Sequence, residues 1–373
     1  MILTKCAVCA TELGLTLGKK CGRCSTRYCG PACQKQHWEE GGHDKLCKKI
    51  KKAGGAEQYN ANNKYSEAVA VAVEKCADDT KGQTCYICTQ AVHWKTKEGL
   101  VRGCSCRGTA GFVHVSCLAE QAKILLDEAE ENNLDVEALT ERWARWQKCS
   151  LCEQEHHGVV HCALAWACWK TYLGRPEADE ARGMAMNLLG NGLFSTKRHA
   201  DALTVREATL STLWRIGAPT FNILATQCNL ATTYGVLGRT DQAHRMKRDI
   251  YYGYVKLYGE EHEHTILVGE NYAWSLIDLR HFEEAKTLLR KMVLVAQRVH
   301  GETDTRTLKM QVSHASALYK DDGATLGELR EAATTLEETE RIAQRVLGGT
   351  HPLVLNMERK LQDARATLRA REA

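Results

Sequence analysis

Proline is scarce, four in 373 residues, which argues against long disordered linkers and makes helix the expected element. Long apolar runs are also missing. No stretch approaches the roughly 20 apolar residues of a membrane span, and the opening MILTKCAVCATELG has no extended apolar core before a cleavage site. This excludes a membrane partner and leads us to expect a soluble, intracellular protein, cytoplasmic or nuclear. Neither sign of charge prevails, with 50 Lys and Arg against 46 Asp and Glu. A cofactor-binding GxG and an Asn-His motif at suitable positions are lacking too, which sets aside a methyltransferase of the SET type. What the chain has in quantity is cysteine.

Of eighteen cysteines, all but one crowd between positions 6 and 168, and the last is at 228. In a secreted chain this would suggest disulfides, but in a reducing compartment regular spacings mean metal. The formal charge of +4 counts every thiol as neutral. With fourteen thiolates on four zinc ions the sum turns slightly negative, so the basic character that would favour nucleic acid disappears. The run Lys48, Lys49, Lys51 and Lys52 reads as a solvated linker or helix end, not a phosphate track.

The first cluster is Cys6-x2-Cys9, Cys21-x2-Cys24, Cys29-x3-Cys33 and His43-x3-Cys47. Eight ligands suffice for two tetrahedral zinc sites. A thioredoxin-like redox pair would need a βαβ pattern that is absent. The order resembles a MYND finger, with Tyr28, Gln34 and Trp38 where that family has them. The resemblance implies Cys6, Cys9, Cys29 and Cys33 on one ion and Cys21, Cys24, His43 and Cys47 on the other. His37 is then a bystander beside Trp38. A longer hop to His43 passes through Gly41 and Gly42, which should absorb it.

The second cluster is Cys85-x2-Cys88, Cys104-x-Cys106, His114-x2-Cys117 and Cys149-x2-Cys152. PHD fingers and RING-CH fingers share this order. The single residue between Cys104 and Cys106, and the seven before His114, resemble RING-CH more closely. That resemblance implies a cross-brace, with Cys85, Cys88, His114 and Cys117 on a third zinc and Cys104, Cys106, Cys149 and Cys152 on a fourth. It also implies Ile87 as an apolar contact for a ubiquitin-conjugating enzyme, with packing on its own knuckle as the equal alternative. Against a working ligase, Glu153 stands where active fingers often carry a basic residue, and Gln121 where the family usually carries tryptophan. The long interval from Cys117 to Cys149 reads as two helices with Trp143 and Trp146 in the core. Cys76, Cys162, Cys168 and Cys228 remain as small buried residues. His157 and His161, four apart, lack a third metal ligand.

Between the clusters, residues 56–82 favour a spacer helix with Tyr65, Val69, Ala72 and Cys76 on one face. GVVHCALAWACWKTYLG, 158–174, reads as an apolar helix. Beyond it the chain repeats. NLATTYGVLGRTDQA (229–243) and NYAWSLIDLRHFEEA (271–285) are 42 residues apart and align Asn229 with Asn271, Ala231 with Ala273 and Ala243 with Ala285. Gly190 with Ala202, and Ala315, extend the pattern, and glycine recurs at 217, 259, 301 and 348. Antiparallel helix pairs that meet at these small residues would stack into a solenoid. The period, with the endings LYGEEHEHT, VHGETDTRT and VLGGTHP, resembles tetratricopeptide repeats of the kinesin-light-chain subtype.

The expected architecture is mainly α: a MYND finger at 1–50, a helical spacer at 51–84, a RING-CH-like finger with helical insertion and trailing helix at 85–176, and about four helix pairs with a capping helix at 177–373. The combination resembles algal-type multidomain proteins. It implies an adaptor for protein or peptide partners, with Trp38, Ile87, Asn191 and Trp274 as candidate contacts. A ubiquitin ligase whose repeats select substrate is the alternative. Gly190-Asn191 resembles the start of a carboxylate-clamp repeat, but Trp274 and Asp278 fill groove positions where such a clamp needs bases.

Overall fold

The computed structural model describes residues 4–349 and 351–372. Thr350, in the last of the glycine-containing endings, lies outside them. The chain divides into two compact units, Met1–Thr226 and Gln227–Ala373.

Unit one begins with strands β1 (Lys19–Lys20) and β2 (Arg27–Tyr28), antiparallel, with Lys19 opposite Tyr28 and Lys20 opposite Arg27. Helices α1 (Pro31–Glu39) and α2 (His43–Lys52) follow. Proline opens α1 at a position where the missing N–H would have no helical partner. Gly42 turns the chain into α2 with φ 68°, which glycine adopts without strain. The core of this segment is Cys6, Leu13, Cys21, Cys24, Tyr28, Cys47, Ile50 and Ala56. Half of it is cysteine, so little apolar area is buried and the segment depends on a further staple.

The remainder of unit one shares a single larger core. Helix α3 (Ala56–Lys75) contributes Ala61, Tyr65, Val69 and Ala72; α4 (Val115–Glu131) contributes Leu118, Ala122 and Leu126. Helix α5 (Val136–Trp143), capped by Asp135, leads into a 3-10 turn (Ala144–Trp146). Trp143 and Trp146 are both buried, as their helical setting led us to expect. At the centre is α6 (Gly158–Tyr172), buried at Val160, at every position from Cys162 to Trp169 and at Tyr172. A helix apolar all round must be covered on all sides, and α3, α4 and α7 (Glu180–Ser195) pack against it. At Gly192 of α7 an added Cβ would come 2.8 Å from the Ala165 Cβ and 3.1 Å from the Cys162 Cα. The two backbones therefore meet where only hydrogen fits. Ala202, Val205 and Ala208 of α8 (His199–Arg215) complete this core.

The unit boundary falls within α9 (Thr220–Val236). Unit two continues with α10 (Thr240–Tyr258), α11 (Glu263–Asp278), α12 (Phe282–His300), α13 (Thr305–Tyr319), α14 (Leu326–Leu347) and α15 (Pro352–Glu372). In chain order α7 to α14 alternate as first and second members of four helix pairs, like tetratricopeptide repeats, with α15 last. Neighbouring helices from α10 to α15 pack in turn, and α13 also touches α11 and α15, which sets these first helices side by side. Ala243, Ala273, Ala285 and Ala315 are all buried at the helix contacts. Gly259 and Gly301 end α10 and α12 at φ 83° and 87°, conformations that stop a helix without side-chain strain. Among the described residues no helix is long and apolar enough to cross a membrane.

Candidate metal centres

Four turns of the same form carry the Cys-x2-Cys pairs. In each, the first cysteine's N–H donates to the carbonyl five residues on, and the N–H four residues on donates back to the cysteine's carbonyl: Cys6 with Thr11 and Ala10, Cys21 with Thr26 and Ser25, Cys85 with Gln90 and Thr89, Cys149 with Gln154 and Glu153. Ala10, Ser25, Thr89 and Glu153 all have φ between 55° and 63°. None is glycine, so each turn holds a conformation of order 1 kcal/mol above the alternatives. Bridges Lys5 to Glu12 and Lys148 to Glu155, and the β1–β2 pair, clamp three of these turns from outside. The knuckle thus aims two sulfurs at one point.

The structure brings the sixteen candidate ligands together in four groups: Cys6, Cys9, Cys29 and Cys33; Cys21, Cys24, His43 and Cys47; Cys85, Cys88, His114 and Cys117; Cys104, Cys106, Cys149 and Cys152. Within each group all ligand atoms lie within 4.8 Å of one another. Sulfur separations are 3.5 Å for Cys9–Cys29, 3.4 Å for Cys29–Cys33, 3.9 Å for Cys21–Cys47 and 3.8 Å for Cys106–Cys149. A tetrahedron with Zn–S near 2.3 Å has edges of roughly 3.8 Å, whereas a disulfide needs about 2 Å. These spacings suit zinc, and the four groups fit four zinc sites.

The histidines enter by different nitrogens. His43 turns Nε2 to Cys24 Sγ at 3.4 Å, and His114 turns Nδ1 to Cys88 and Cys117 at 3.4 and 3.6 Å. The His114 Nε2 faces the Ala91 carbonyl at 3.4 Å, the outer contact that orients a metal-binding imidazole. His37 stays outside the group. It stacks on His43 with ring centroids 4.8 Å apart, and its Nδ1 meets the Tyr28 hydroxyl at 3.0 Å. A Cβ on Gly41 would collide with the His37 ring at 2.4 Å. The two glycines therefore let the longer hop close against this imidazole.

Electrostatics within the groups also call for a cation. Hydrogen bonds from Thr11 hold Cys9 down at about 6, while the hydrogen bond to Cys29 and the one to Cys9 push Cys33 up to about 12. In the second group burial works against Cys21, yet its bond with His43 brings it to about 6. Burial and the neighbouring Cys24 and Cys21 sulfurs raise Cys47 to about 11. Thiols this close cannot all ionise unaided. A divalent ion removes the conflict.

In the second finger, Glu98 fixes the approach to His114: its carboxylate accepts from the Ser116 N–H at 2.7 Å and from the Tyr65 hydroxyl at 3.4 Å. The Tyr86 hydroxyl lies 3.2 Å from the Ser150 hydroxyl, tying two knuckles together. Ile87 is 37% exposed on one of them, and Leu151, 52% exposed, occupies the equivalent place on the other. Sequence reading singled out Ile87 and missed Leu151, although both are the third residue of a Cys-x2-Cys. Glu153 is held by Arg145 through two contacts of 2.9 and 2.8 Å. A fifth turn of the knuckle form runs from His93 to Glu98 without cysteine, where Thr96 donates to His93 Nδ1. It displays Trp94, 68% exposed, also unmarked by the sequence reading.

The other candidate contacts are placed as follows. Trp38 is 42% exposed at the end of α1. Asn191 accepts from Arg206 at 3.0 Å within the α7–α8 pair. Trp274 of α11 lies beneath Lys360 and Lys320, whose ammonium groups are 4.2 and 5.4 Å from its ring centroid. The bases near Trp274 come from other positions, Lys320 at the end of α13 and Lys360 of α15. His157 and His161 join no metal group among the described residues.

Residues 6–47 match the MYND finger family and residues 85–154 the RING-variant domain. No curated protein matches the chain. Among solved structures, the chain is similar to a Podosopora anserina protein described as a kinesin light chain with nearly identical TPR-like repeats, at 17% identity and TM-score 0.43, over 63% of this chain and 98% of that one. A point variant of the same protein gives 17% and 0.44, covering 62% and 97%. BtubC (BKLC) from P. vanneervenii gives 14% and 0.42, covering 69% and 90%.

Proposed function

We propose that the chain is a non-catalytic adaptor with the sixteen cysteine and histidine residues above as ligands of four structural zinc ions, and with fingers and helix pairs that hold partner peptides. Residues 1–50, 51–84, 85–176 and 177–373 are the corresponding functional divisions. The observation that carries this reading is the use of the cysteines. All sixteen ligands are consumed in closed four-ligand groups, and closed groups leave no open position for substrate. Meanwhile Trp38 stands exposed beside the second group. An aromatic held rigidly at a surface is a usual anchor for a peptide. Proline-containing peptides are the class MYND fingers typically bind. Fluorescence anisotropy of a proline-containing peptide panel on the full chain should detect binders that Trp38→Ala weakens at least tenfold, with zinc content unchanged. Binders indifferent to Trp38→Ala would remove the finger from this role.

A second reading, ubiquitin ligase, is favoured by the Ile87–Leu151 arrangement. Two exposed apolar residues on linked knuckles offer a docking surface for a conjugating enzyme. Autoubiquitination assays with several conjugating enzymes decide it: chains formed by the wild type and lost in Ile87→Ala support it, and no chains with any enzyme would sink it.

A further inference from the structure

Lys170 stands near the C-terminal end of α6, in unit one, and is its only lysine. Its Nζ is 3.8 Å from the centroid of the Tyr65 ring of α3, and its carbonyl accepts from Gln58 Nε2 at 3.0 Å. Backbone and side chain are thus both held against α3. The amine opens into a cavity of about 730 Å³, lined also by Tyr65, Val69 and Val73 of α3 and by Lys97 and Glu98 of the cysteine-free knuckle. Lys5, Lys64, Lys81 and Lys123 of the same unit form ion pairs of 2.6 to 3.0 Å. Among the described residues no carboxylate reaches Lys170 at such a distance. Burial lowers its pKa, and Glu98, beyond ion-pair distance, opposes the shift without reversing it. A lysine whose charged form is disfavoured offers more neutral, nucleophilic amine.

We propose that Lys170 captures an uncharged aldehyde with a short apolar tail, as a reversible imine within this cavity. This activity goes beyond the adaptor reading and does not depend on it. The Nζ lone pair adds to the carbonyl carbon while the π pair of the C=O bond moves to oxygen. Nitrogen then gives up its two protons, both end on that oxygen, and it leaves as water as C=N forms. The open cavity lets solvent carry the protons, and no oxidant or reductant is consumed. Val69, Val73 and the Tyr65 ring give the tail an apolar wall. With Lys170 neutral, the charged groups lining the cavity are Lys97 against Glu74 and Glu98. That balance disfavours a carboxylate, so the site selects a simple aldehyde over a keto acid.

The test uses the full zinc-loaded chain at neutral pH. Hexanal or formaldehyde is added with sodium cyanoborohydride, which traps each imine as a stable amine, and labelled lysines are quantified by mass spectrometry. Lys360 is the internal comparison, because burial, Lys320 and Arg359 push it down to about 8. Amine acidity alone would make it the more reactive. The ratio of Lys170 to Lys360 labelling should be at least fivefold higher with hexanal than with formaldehyde, and this preference should vanish in guanidinium. Ala70→Trp, at an exposed position lining the cavity, should reduce hexanal labelling of Lys170 at least threefold, with the thermal midpoint and Lys360 labelling unaltered. Equal ratios for the two aldehydes, or a preference that survives unfolding, overturn the proposal. So does hexanal labelling of Lys170 no greater than that of Lys81, whose side chain is 76% exposed.

Discussion

Chelation is expected to release four zinc ions per chain and unfold residues 4–50, while most of the helical signal survives. The physical reason is the difference between the two cores of unit one. Around the first two ligand groups the core is Cys6, Cys21, Cys24 and Cys47 with only four other residues. Remove the ion and those thiolates repel one another or must take up protons, and nothing else of comparable size holds the loops. Zinc binding in such modules supplies about 10–16 kcal/mol of apparent folding energy, which exceeds what this core could replace. The second finger differs, because Cys85 and Cys117 lie in a core that also takes Tyr65, Leu118, Trp146, Trp166 and Leu189. Its knuckles should open while α4 and α6 stay packed. A colorimetric zinc-release assay and hydrogen exchange measure the two halves of this outcome. Release near two ions would remove one finger from the assignment, and loss of protection throughout α7–α15 would contradict an independent helical core.

Lys286→Met should destabilise unit two by about 3 kcal/mol at neutral pH, the scale for removing one partner of a buried ion pair. The Lys286 side chain is only 5% exposed, and its ammonium meets Glu283, Asp321 and Glu328 at 2.8, 2.7 and 2.8 Å. Burial alone would lower this lysine, but the bonds to Asp321, Glu283 and Glu328 raise it well above its ordinary value. Its contribution is therefore complete below the unfolded lysine pKa and lost only when strongly alkaline pH passes the raised folded value. The partners respond in the opposite direction. Lys286 and the Thr325 N–H hold Glu328 down at about 2. Against the effect of burial, Lys286 and the Gly323 N–H lower Asp321 as well. Carboxylates depressed on folding stabilise above their unfolded pKa, and that contribution fades as pH falls towards about 2. Urea unfolding followed by helical circular dichroism at several pH values tests this. The gap between wild type and Lys286→Met should be full at pH 6–8 and narrow steadily below pH about 4. Equal midpoints at pH 7 would mean that desolvation cancels the three contacts.

The cluster also shows how far local sequence reaches. Thr325 and Glu328 form a capping box at the start of α14, a spacing readable from four letters. That the same Glu328 would turn its other oxygen to a lysine 42 residues earlier is visible only once α12 and α14 are side by side. The repeat period supplied the helix pairs because each needs small residues where backbones meet. It gave no account of which polar side chains would converge between repeats, since those positions are not constrained by the period.

By itself the sequence showed two sets of eight metal ligands and a 42-residue repeat of helix pairs, while the division of the ligands into four groups followed from the resemblance to known fingers. Zinc accepts few donors at narrow spacings, and a 42-residue alternation of small and apolar residues admits few other packings. The cross-brace left a trace in cysteine order because coordination geometry acts on every ligand alike. Only the tertiary structure decided that α3, the second finger, α6 and the first helix pair share one core. Apolar side chains specify that they will be buried, but not against which neighbour. It also placed Leu151 on a knuckle tied to that of Ile87, Lys286 among three carboxylates, and Lys320 and Lys360 over Trp274. Coulombic and packing contacts of this kind depend on distances across the fold, which no local pattern of residues encodes.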